Sequence, residues 1–355
     1  MKKGDVPRKL ASVRVEEWLA LFLFIVVSAI NLFYYGDFSW QDTMVAMVKY
    51  FSFGNELYFL FSLCIYIVFF FWGFKRFSHD IIAAVIDRVP LHKGVFFELG
   101  KTLLEPIRIL APIALVSVAF FQLLANLDAV LGYRTDDLLL YHADKALLGV
   151  APFFSLPTIF TSPFLTSFFW ISYSSLAVVV SALLFYIFLR SPKWLFRLNI
   201  LAFIFTLVFA FPIYYVIPCK DPNNAFMRAP LENVPAEVRS DLEKYKPTAK
   251  TQDLIKGIYE AESKEGTRPV PISCFPSMHA AWAFIPIFFL AKINRRSLLL
   301  SVPWIALVLT GGVYFAQHYV VDYLAAIPIS ALSIFCAHIL LGWERKHSVQ
   351  SAPGE

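Results

Sequence analysis

The stretches Cys274-Phe-Pro-Ser-Met-His279 and His318-Tyr-Val-Val-Asp322 flank thirty-eight residues that form two apolar runs joined by a short basic turn. An α-helix needs about 20 apolar residues to cross the hydrocarbon core of a bilayer, and each run approaches that length. The chain can therefore enter the membrane after the first stretch and return before the second. This hairpin predicts that both histidines lie at the same membrane face.

The composition is that of a membrane protein. Of the 355 residues, 58% are hydrophobic and 16% are charged, whereas about 25% of the residues of a soluble domain are charged. The net charge of +5 is spread over many loops. It therefore bears on membrane orientation and predicts no binding to nucleic acid.

Runs of about twenty apolar residues predict an all-α fold, a polytopic helical bundle with about eight transmembrane helices. The predicted spans are Trp18–Tyr34, Leu57–Phe74, Leu103–Leu124, Pro163–Leu189, Leu195–Ile217, Met278–Ile293, Leu298–Gln317 and Tyr319–Trp343. The predicted domains are an N-terminal tail (1–17), N-terminal transmembrane helices (18–125), a catalytic membrane domain (126–343) and a C-terminal tail (344–355). The only sizeable polar insertion, 219–273, carries charges of alternating sign and predicts short amphipathic helices near Pro235–Tyr245 and Thr251–Ser263.

Basic residues next to the spans predict the orientation, because lysine and arginine concentrate in cytoplasmic loops. If eight spans alternate, the basic clusters all fall on one side: Lys2, Lys3, Arg8, Lys9, Arg14, Lys75, Arg76, Arg190, Lys193, Arg197, Arg295, Arg296, Arg345 and Lys346. Both termini are then cytoplasmic, and the insertion and the two histidines face the other side. The expected location is a bacterial inner membrane or a membrane of the eukaryotic secretory pathway.

The spacing of polar residues in the two stretches predicts phosphoryl-transfer chemistry. His318 and Asp322 are four residues apart and share one helical face. A carboxylate there can fix the tautomer of the imidazole and leave its other nitrogen free as a nucleophile. His279, at the start of a span, could protonate a leaving alkoxide. The Ser277 hydroxyl and the first helical amides offer a site for an anion. This scheme needs no metal and no cofactor.

At these residues the chain resembles the type 2 phosphatidic acid phosphatase superfamily, whose motifs are Lys-x6-Arg-Pro, Pro-Ser-x-His and Ser-Arg-x5-His-x3-Asp. Pro276-Ser277-Met278-His279 matches the second motif, and His318-x3-Asp322 matches the end of the third. The resemblance implies that His318 forms a phosphohistidine, that Asp322 supports it and that His279 protonates the leaving group. The first motif is absent in strict form, and Gly312 stands where the phosphatases carry a phosphate-binding arginine.

These departures resemble the branch that contains inositol phosphorylceramide synthases and other inositol-phosphotransferase-like enzymes. Sphingomyelin synthases likewise keep the two histidines and the aspartate without the arginine. Asp144-Lys-Ala-Leu-Leu-Gly149 and Ser172-Tyr173-Ser174 also look like this branch. The resemblance implies transfer of a phospho-head-group from a lipid to an alcohol.

Two pairs of basic residues could replace the missing phosphate ligands. Lys101-x6-Arg108 has the family's spacing but lies at the predicted cytoplasmic end of the third span. Lys220 and Arg228 are spaced less well but lie on the same predicted side as the histidines. They are the candidate phosphate-binding residues, together with Ser277, and an ordinary solvated loop is the alternative.

Cys219 and Cys274 bracket the insertion on the side where oxidising conditions would apply. A disulfide between them would close a loop of 56 residues and stabilise the fold by about 4 kcal/mol in the chain-entropy model. Two free thiols are the alternative.

Three classes of function fit the sequence. The first is a phospho-head-group transferase that passes the phosphoryl group from phosphohistidine to a small alcohol or a lipid hydroxyl. The second is a lipid phosphate phosphatase, which uses water and acts on phosphatidate or polyprenyl phosphates and diphosphates. The third, a non-enzymatic transporter, is disfavoured because the polar residues cluster at one surface. The expected partners are the bilayer and a lipid substrate, which could be a phospholipid, a sphingolipid or a polyprenyl phosphate.

Overall fold

The structure, a computed structural model, describes residues 13–35, 111–124, 135–263 and 274–350, with single residues between 64 and 131. None of these described residues lies in a β-strand. The all-α class is therefore confirmed for this part of the chain. The predicted span Leu57–Phe74 lies outside the described residues apart from isolated helical positions.

The α-helices of the described part are named here in chain order. They are α1 (Val15–Tyr35), α2 (Ala111–Leu124), α3 (Asp137–Leu148), α4 (Pro152–Ile159), α5 (Pro163–Ser174), α6 (Leu176–Arg190), α7 (Lys193–Val216), α8 (Ala236–Lys244), α9 (Ala249–Ser263), α10 (Met278–Ile293), α11 (Leu298–Tyr314) and α12 (Val320–Gln350). A π-helical turn, Asn223–Met227, and two short 3-10 turns, Leu231–Asn233 and Arg295–Ser297, lie between them. The two helices predicted within the insertion correspond to α8 and α9.

Four helices of the described part are long and apolar enough to cross a membrane. They contain Val15–Phe33, Lys193–Val216, Arg295–Tyr314 and Val320–His347. The bent pair α5 and α6 gives a fifth crossing if the two act as one, and α2 and α10 are shorter apolar helices. The chain is thus a helical membrane protein with four or five such spans among its described residues. The count of eight stays a prediction.

The predicted span Pro163–Leu189 is bent by 46° where α5 meets α6. Ser172 donates a hydrogen bond to the carbonyl of Phe168 at 2.8 Å, and Ser175 donates one to the carbonyl of Ser172 at 2.7 Å. Hydroxyls that bind carbonyls of the preceding turn commonly bend a helix. Trp304 of α11 also donates to Ser175 Oγ at 3.2 Å, which ties the bend to the neighbouring helix.

Ion pairs join one end of the bundle. Arg197 of α7 contacts Glu16 of α1 and Glu344 near the end of α12, with nitrogen–oxygen distances of 2.5 and 2.8 Å. Arg108 pairs with Glu17 at 2.5 Å. Glu16 is only 2% exposed, so loss of its partner would leave a buried charge, which is costly. These contacts fix α1, α7 and α12 relative to one another.

At the other end of the bundle, α7 and α12 contact the start of α10. The long α12 packs mainly on α7, and α10 packs against both. The Trp282 indole donates to Thr206 Oγ1 at 2.9 Å, and the Tyr214 hydroxyl donates to the Pro276 carbonyl at 3.1 Å. The first turns of α10 and α12 are thereby brought together, as the hairpin pattern of the sequence predicts.

Candidate active site

His318, which lies just before α12, is at the centre of the site and is 5% exposed. Its Nδ1 lies 3.3 Å from Oδ2 of Asp322, one helical turn further on. Asp322 is fully buried, so no water competes for this contact. The carboxylate favours the tautomer with the proton on Nδ1, which leaves a lone pair on Nε2. His318 therefore presents a potential nucleophile on the side away from Asp322.

Two groups at the start of α10 face that nitrogen. His318 Nε2 lies 3.3 Å from His279 Nδ1 and 3.4 Å from Ser277 Oγ. Ser277 is the N-cap of α10, and its hydroxyl accepts a hydrogen bond from the Ala280 amide at 3.2 Å. Since Nε2 of His318 lacks a proton in the favoured tautomer, His279 is the donor between the rings. A phosphoryl group bound to His318 would displace this hydrogen bond and meet the same proton.

Asp322 is held by more than the imidazole. Its Oδ2 accepts from the Cys274 thiol at 2.8 Å and from the Tyr319 amide at 2.9 Å. The thiol therefore shares with His318 the oxygen that orients the ring. The sequence singled out Cys274 only as a disulfide partner, and this contact was missed because it depends on tertiary structure.

Cys219 lies beside Cys274, and both are free thiols in this structure. The Cys274 amide donates to the Cys219 carbonyl at 3.2 Å, and Cys219 Sγ accepts from the Phe275 amide at 3.0 Å. Burial raises the pKa of both thiols, most strongly that of Cys274. At neutral pH both are therefore protonated and able to donate.

The first turn of α12 is capped by a residue far away in the chain. The amides of Val320 and Val321 donate to the two carboxylate oxygens of Asp144, at 3.0 and 2.9 Å. Such amides have no partner within their own helix. Asp144 belongs to α3 and is fully buried, and burial raises its pKa to about 6. Its carboxylate thus fixes the helix start that carries His318 and Asp322.

We expect Asp144→Ala to lower turnover by roughly tenfold to a hundredfold, because a small displacement of catalytic groups can cost that much. Loss of the cap also costs about 1 kcal/mol of folding free energy. Asp144→Asn keeps one acceptor oxygen and should fall between wild type and Asp144→Ala. Asp253→Ala, at an exposed position of α9, is the control. Turnover of Asp144→Ala equal to that of the control would contradict this role.

The two predicted phosphate-binding residues, Lys220 and Arg228, differ in burial. The backbone amide of Lys220 donates to Asp137 Oδ1 at 2.7 Å, and the residue is half-buried directly after Cys219. Burial raises the pKa of the next residue, Asp221. The Asn223 amide donates to the Ala316 carbonyl at 2.8 Å, which ties this segment to the chain just before His318. Arg228 lies at the end of the π-helical turn and is exposed.

Other basic residues are engaged elsewhere. Lys145 lies 2.9 Å from Asp241 Oδ2 and 3.0 Å from the Tyr141 hydroxyl, and so joins α3 to α8. Arg108 pairs with Glu17 at the end of the bundle where α12 finishes. At 1.5 Å per residue, that end is about 36 Å from the start of α12. Its place fits the expectation that Arg108 does not meet the phosphate.

Tyrosines fill the space beside Gly312. A Cβ atom at this glycine of α11 would lie 2.1 Å from the Tyr323 hydroxyl and 3.1 Å from Cε2 of Tyr173. No side chain fits there without displacing Tyr323. The ring of Tyr323 is 5.2 Å from that of His318, and the ring of Tyr173 is 6.5 Å from that of His279. Gly312, the position at which the related phosphatases carry an arginine, is therefore next to the side chains of Tyr323 and Tyr173. Sequence reasoning did not identify Tyr323, because one tyrosine directly after Asp322 forms no recognisable motif.

Cys274, His318 and Asp322 also offer three potential metal-ligand atoms, all within 4.8 Å of one another. Sulfur, imidazole nitrogen and carboxylate oxygen form a donor set that suits zinc. A thiolate would be needed for such a site, whereas burial raises the pKa of Cys274 and the thiol donates to Asp322. Metal-free chemistry stays a prediction. It is tested by measuring turnover in the presence of a chelator.

Comparison with known proteins relates the chain to one family. A family model described as the PAP2 superfamily matches residues 139–336, from α3 into α12. That range includes both histidines, Asp322, Asp144 and the insertion. No curated protein and no solved structure matches the chain.

Proposed function

The chain belongs to the PAP2 superfamily, and from this premise we propose that it is a metal-independent lipid phosphotransferase that works through a phosphohistidine. Membership suggests a phosphatase or a phosphotransferase. The finer proposal is that His318 attacks the phosphorus of a membrane phospholipid and that the phospho-head-group passes to an alcohol. Inositol phosphorylceramide synthase-like transfer is the favoured form.

One observation carries the proposal. His318 Nδ1 faces Asp322 at 3.3 Å while Nε2 faces His279 Nδ1, also at 3.3 Å. Nδ1 of His318 is thus oriented by a carboxylate. Nε2 of the same ring carries a lone pair and lies next to a proton donor, His279. These are the parts that nucleophilic attack with general-acid assistance needs.

The reaction takes two steps. In the first, a bond forms between His318 Nε2 and phosphorus, and the bond from phosphorus to the lipid oxygen breaks. His279 donates its proton to the departing alkoxide, and Asp322 stabilises the charge that develops on the His318 ring. In the second, an acceptor hydroxyl attacks phosphorus while its proton goes to His279, and His318 is released. The amides at the start of α10 and the Ser277 hydroxyl, near His318 Nε2 at 3.4 Å, can stabilise the phosphoryl oxygens.

Transferase and phosphatase differ only in the acceptor. Purified protein in detergent should be given phospholipids and lipid phosphates labelled at phosphorus, with and without inositol and ceramide. The proposal predicts a labelled lipid product that forms only with an added alcohol. Free labelled phosphate formed equally with and without the alcohol would favour the phosphatase alternative.

We also propose that the site faces the non-cytoplasmic side and that both termini are cytoplasmic. The basic flanks of the spans support this, because lysine and arginine concentrate on the cytoplasmic side. In sealed vesicles, single cysteines placed near Asn55 or Lys250 should react with a membrane-impermeant reagent from the side opposite to one near Ser351. Equal labelling of Lys250 and Ser351 positions from one side would contradict this orientation.

Lys220 and Arg228 are proposed to contribute positive charge to phosphate binding. Neutralising a phosphate ligand should cut turnover at least about tenfold, because charge-assisted contacts to a phosphoryl group contribute a few kcal/mol. We expect this result for Lys220→Ala or Arg228→Ala. Lys101→Ala and Arg108→Ala, at the predicted cytoplasmic face, are the controls and should change turnover little. Full activity of both test variants would direct attention to Arg134 or Lys145.

Cys219 and Cys274 are proposed to form a disulfide in an oxidising compartment. Both residues are buried, and the Cys274 amide donates to the Cys219 carbonyl at 3.2 Å. Oxidation would remove the thiol proton that Asp322 Oδ2 now accepts and leave that oxygen to His318 and to the Tyr319 amide. Peptide mapping of alkylated protein tests the bond, and two free thiols in protein from an oxidising compartment would contradict it.

A further inference from the structure

Cys274, His318 and Asp322 bring three potential metal-ligand atoms together, and the proposed mechanism gives no role to the sulfur. Cys274 Sγ lies 3.5 Å from His318 Nδ1 and 2.8 Å from Asp322 Oδ2, and Nδ1 lies 3.3 Å from Oδ2. None of the three residues is more than 5% exposed. A thiol, an imidazole and a carboxylate that converge in this way form a donor set typical of zinc.

The separations of the three atoms are close to those between the ligands of a tetrahedral zinc ion. Zinc bonds of about 2.3 Å to sulfur and about 2.0–2.2 Å to nitrogen and oxygen place the ligand atoms about 3.4 to 3.6 Å apart. The two distances from His318 Nδ1 already match these values within about 0.1 Å. Only the sulfur–oxygen distance, now that of a thiol hydrogen bond, would lengthen, by roughly 0.8 Å. A small shift of the Cys274 side chain is therefore enough.

Neighbouring groups hold these ligands in the way that a metal site needs. The Tyr319 amide donates to Asp322 Oδ2 at 2.9 Å and so orients the carboxylate. On the far side of the His318 ring, Nε2 lies 3.3 Å from His279 Nδ1 and 3.4 Å from Ser277 Oγ. A histidine that binds a metal through one nitrogen usually donates the proton of its other nitrogen to such a neighbour. The partners of a zinc-bound imidazole are thus in place.

We propose that Cys274 Sγ, His318 Nδ1 and Asp322 Oδ2 bind a zinc ion that reversibly inhibits the enzyme. The inference rests on the proposed function, because the inhibition follows from the role of His318 as the nucleophile. When the ion occupies Nδ1, the one proton of the neutral ring lies on Nε2. The lone pair that attacks phosphorus is then lost. Zinc binding and the first chemical step therefore exclude each other, and the ion is no cofactor of the reaction.

Binding involves no transfer of electrons, and its protons balance. The Cys274 thiol releases its proton to solvent as the sulfur–zinc bond forms, and the His318 ring exchanges its Nδ1 proton for one on Nε2. Burial raises the pKa of the Cys274 thiol, but a thiol that coordinates zinc is deprotonated by the charge of the ion. Water fills the fourth position of the ion. A chelator that removes the ion lets the thiol donate to Asp322 again.

Cobalt(II) tests the site itself, because a bond between a thiolate and cobalt absorbs in the near ultraviolet. Purified protein in detergent, kept reduced with a phosphine, is titrated with cobalt and then with zinc. Wild type should show a thiolate–cobalt band that zinc removes. Cys274→Ser should lack the band, and His318→Ala should bind cobalt at least about tenfold more weakly. Cys336→Ser, which removes the half-buried cysteine of α12, is the control and should keep the band.

Inhibition is measured as turnover of a phospholipid donor at free zinc concentrations set by a metal buffer. Saturating zinc should lower wild-type kcat at least about tenfold, because the nucleophile is blocked, and more donor should not restore it. A chelator should restore it. Cys274→Ser, compared with its own metal-free rate, should need at least about tenfold more zinc for half inhibition, since even groups that only orient a ligand change metal affinity that much. Cys336→Ser should match wild type.

The outcomes separate this inference from the proposed function. The inference is wrong if wild type gives no thiolate–cobalt band, if Cys274→Ser keeps the band, or if Cys274→Ser is as sensitive to zinc as wild type. None of these results touches the proposed function. If His318→Ala retains turnover, the proposed function and the inhibition are both wrong, whereas a cobalt band that depends on Cys274 would still establish the metal site. If a chelator abolishes wild-type turnover, the ion is a cofactor and both proposals are wrong.

Discussion

His318→Ala is expected to abolish turnover of every donor, a loss of at least about 10³-fold, since removal of a nucleophile leaves only binding and electrostatic effects. Within the described residues, His318 Nδ1 lies 3.3 Å from Asp322 Oδ2, and its Nε2 lies 3.3 Å from His279 Nδ1, so His318 is the ring that the carboxylate orients. The measurement is product release per minute with a phospholipid donor, in protein whose thermal stability equals that of wild type.

The matched control is His338→Ala, because His338 lies on α12, the helix that follows His318, but is exposed and about five turns beyond Val320, the first residue of that helix, at about 3.6 residues per turn. This variant should keep wild-type turnover. Substantial activity of well-folded His318→Ala protein would mean that the histidine is not the nucleophile, and attention would shift to the other groups at the site.

His279→Ala should be nearly as damaging when the leaving group is a lipid alkoxide. General-acid assistance is typically worth about 10²- to 10⁴-fold, and an alkoxide is too basic to depart without a proton. Nitrophenolate leaves without one. The loss with a nitrophenyl phosphodiester should therefore be much smaller than the loss with a phospholipid.

The ratio of these two losses is the informative quantity, because a folding defect would lower both activities equally. We expect the His279→Ala penalty to be at least about tenfold larger for the lipid donor, within the range that general-acid assistance spans. Equal penalties for the two leaving groups would show that His279 acts on binding or position and not on the departing oxygen.

The sequence predicted those parts of the site that follow from local spacing. His318 and Asp322 are one helical turn apart, and the hairpin between them and His279 limits where that histidine can lie. The bounds of the predicted span Met278–Ile293 equal those of α10. Apolar length and helical periodicity are enough for these features.

Features that depend on tertiary contacts could not be predicted. The carboxylate of Asp144 reaches the start of α12 from 176 residues away, and the Cys274 thiol meets Asp322 across 48 residues. The bend between α5 and α6 and the packing of Tyr323 over Gly312 likewise depend on neighbouring helices. Asp144 and Cys274 are noted in the sequence for a family resemblance and for a predicted disulfide, and nothing in their local spacing indicates the contacts that they make.

Trapping the covalent intermediate tests whether the phosphoryl group passes through a bond to His318. Protein mixed with a donor labelled at phosphorus is quenched in alkali, where a phosphohistidine survives, and the label is mapped to a peptide. We expect label on the peptide that contains His318, and this label should be lost on acidification and absent from His318→Ala. Label on Cys274 or Ser277, or turnover with no labelled protein at any quench time, would contradict it.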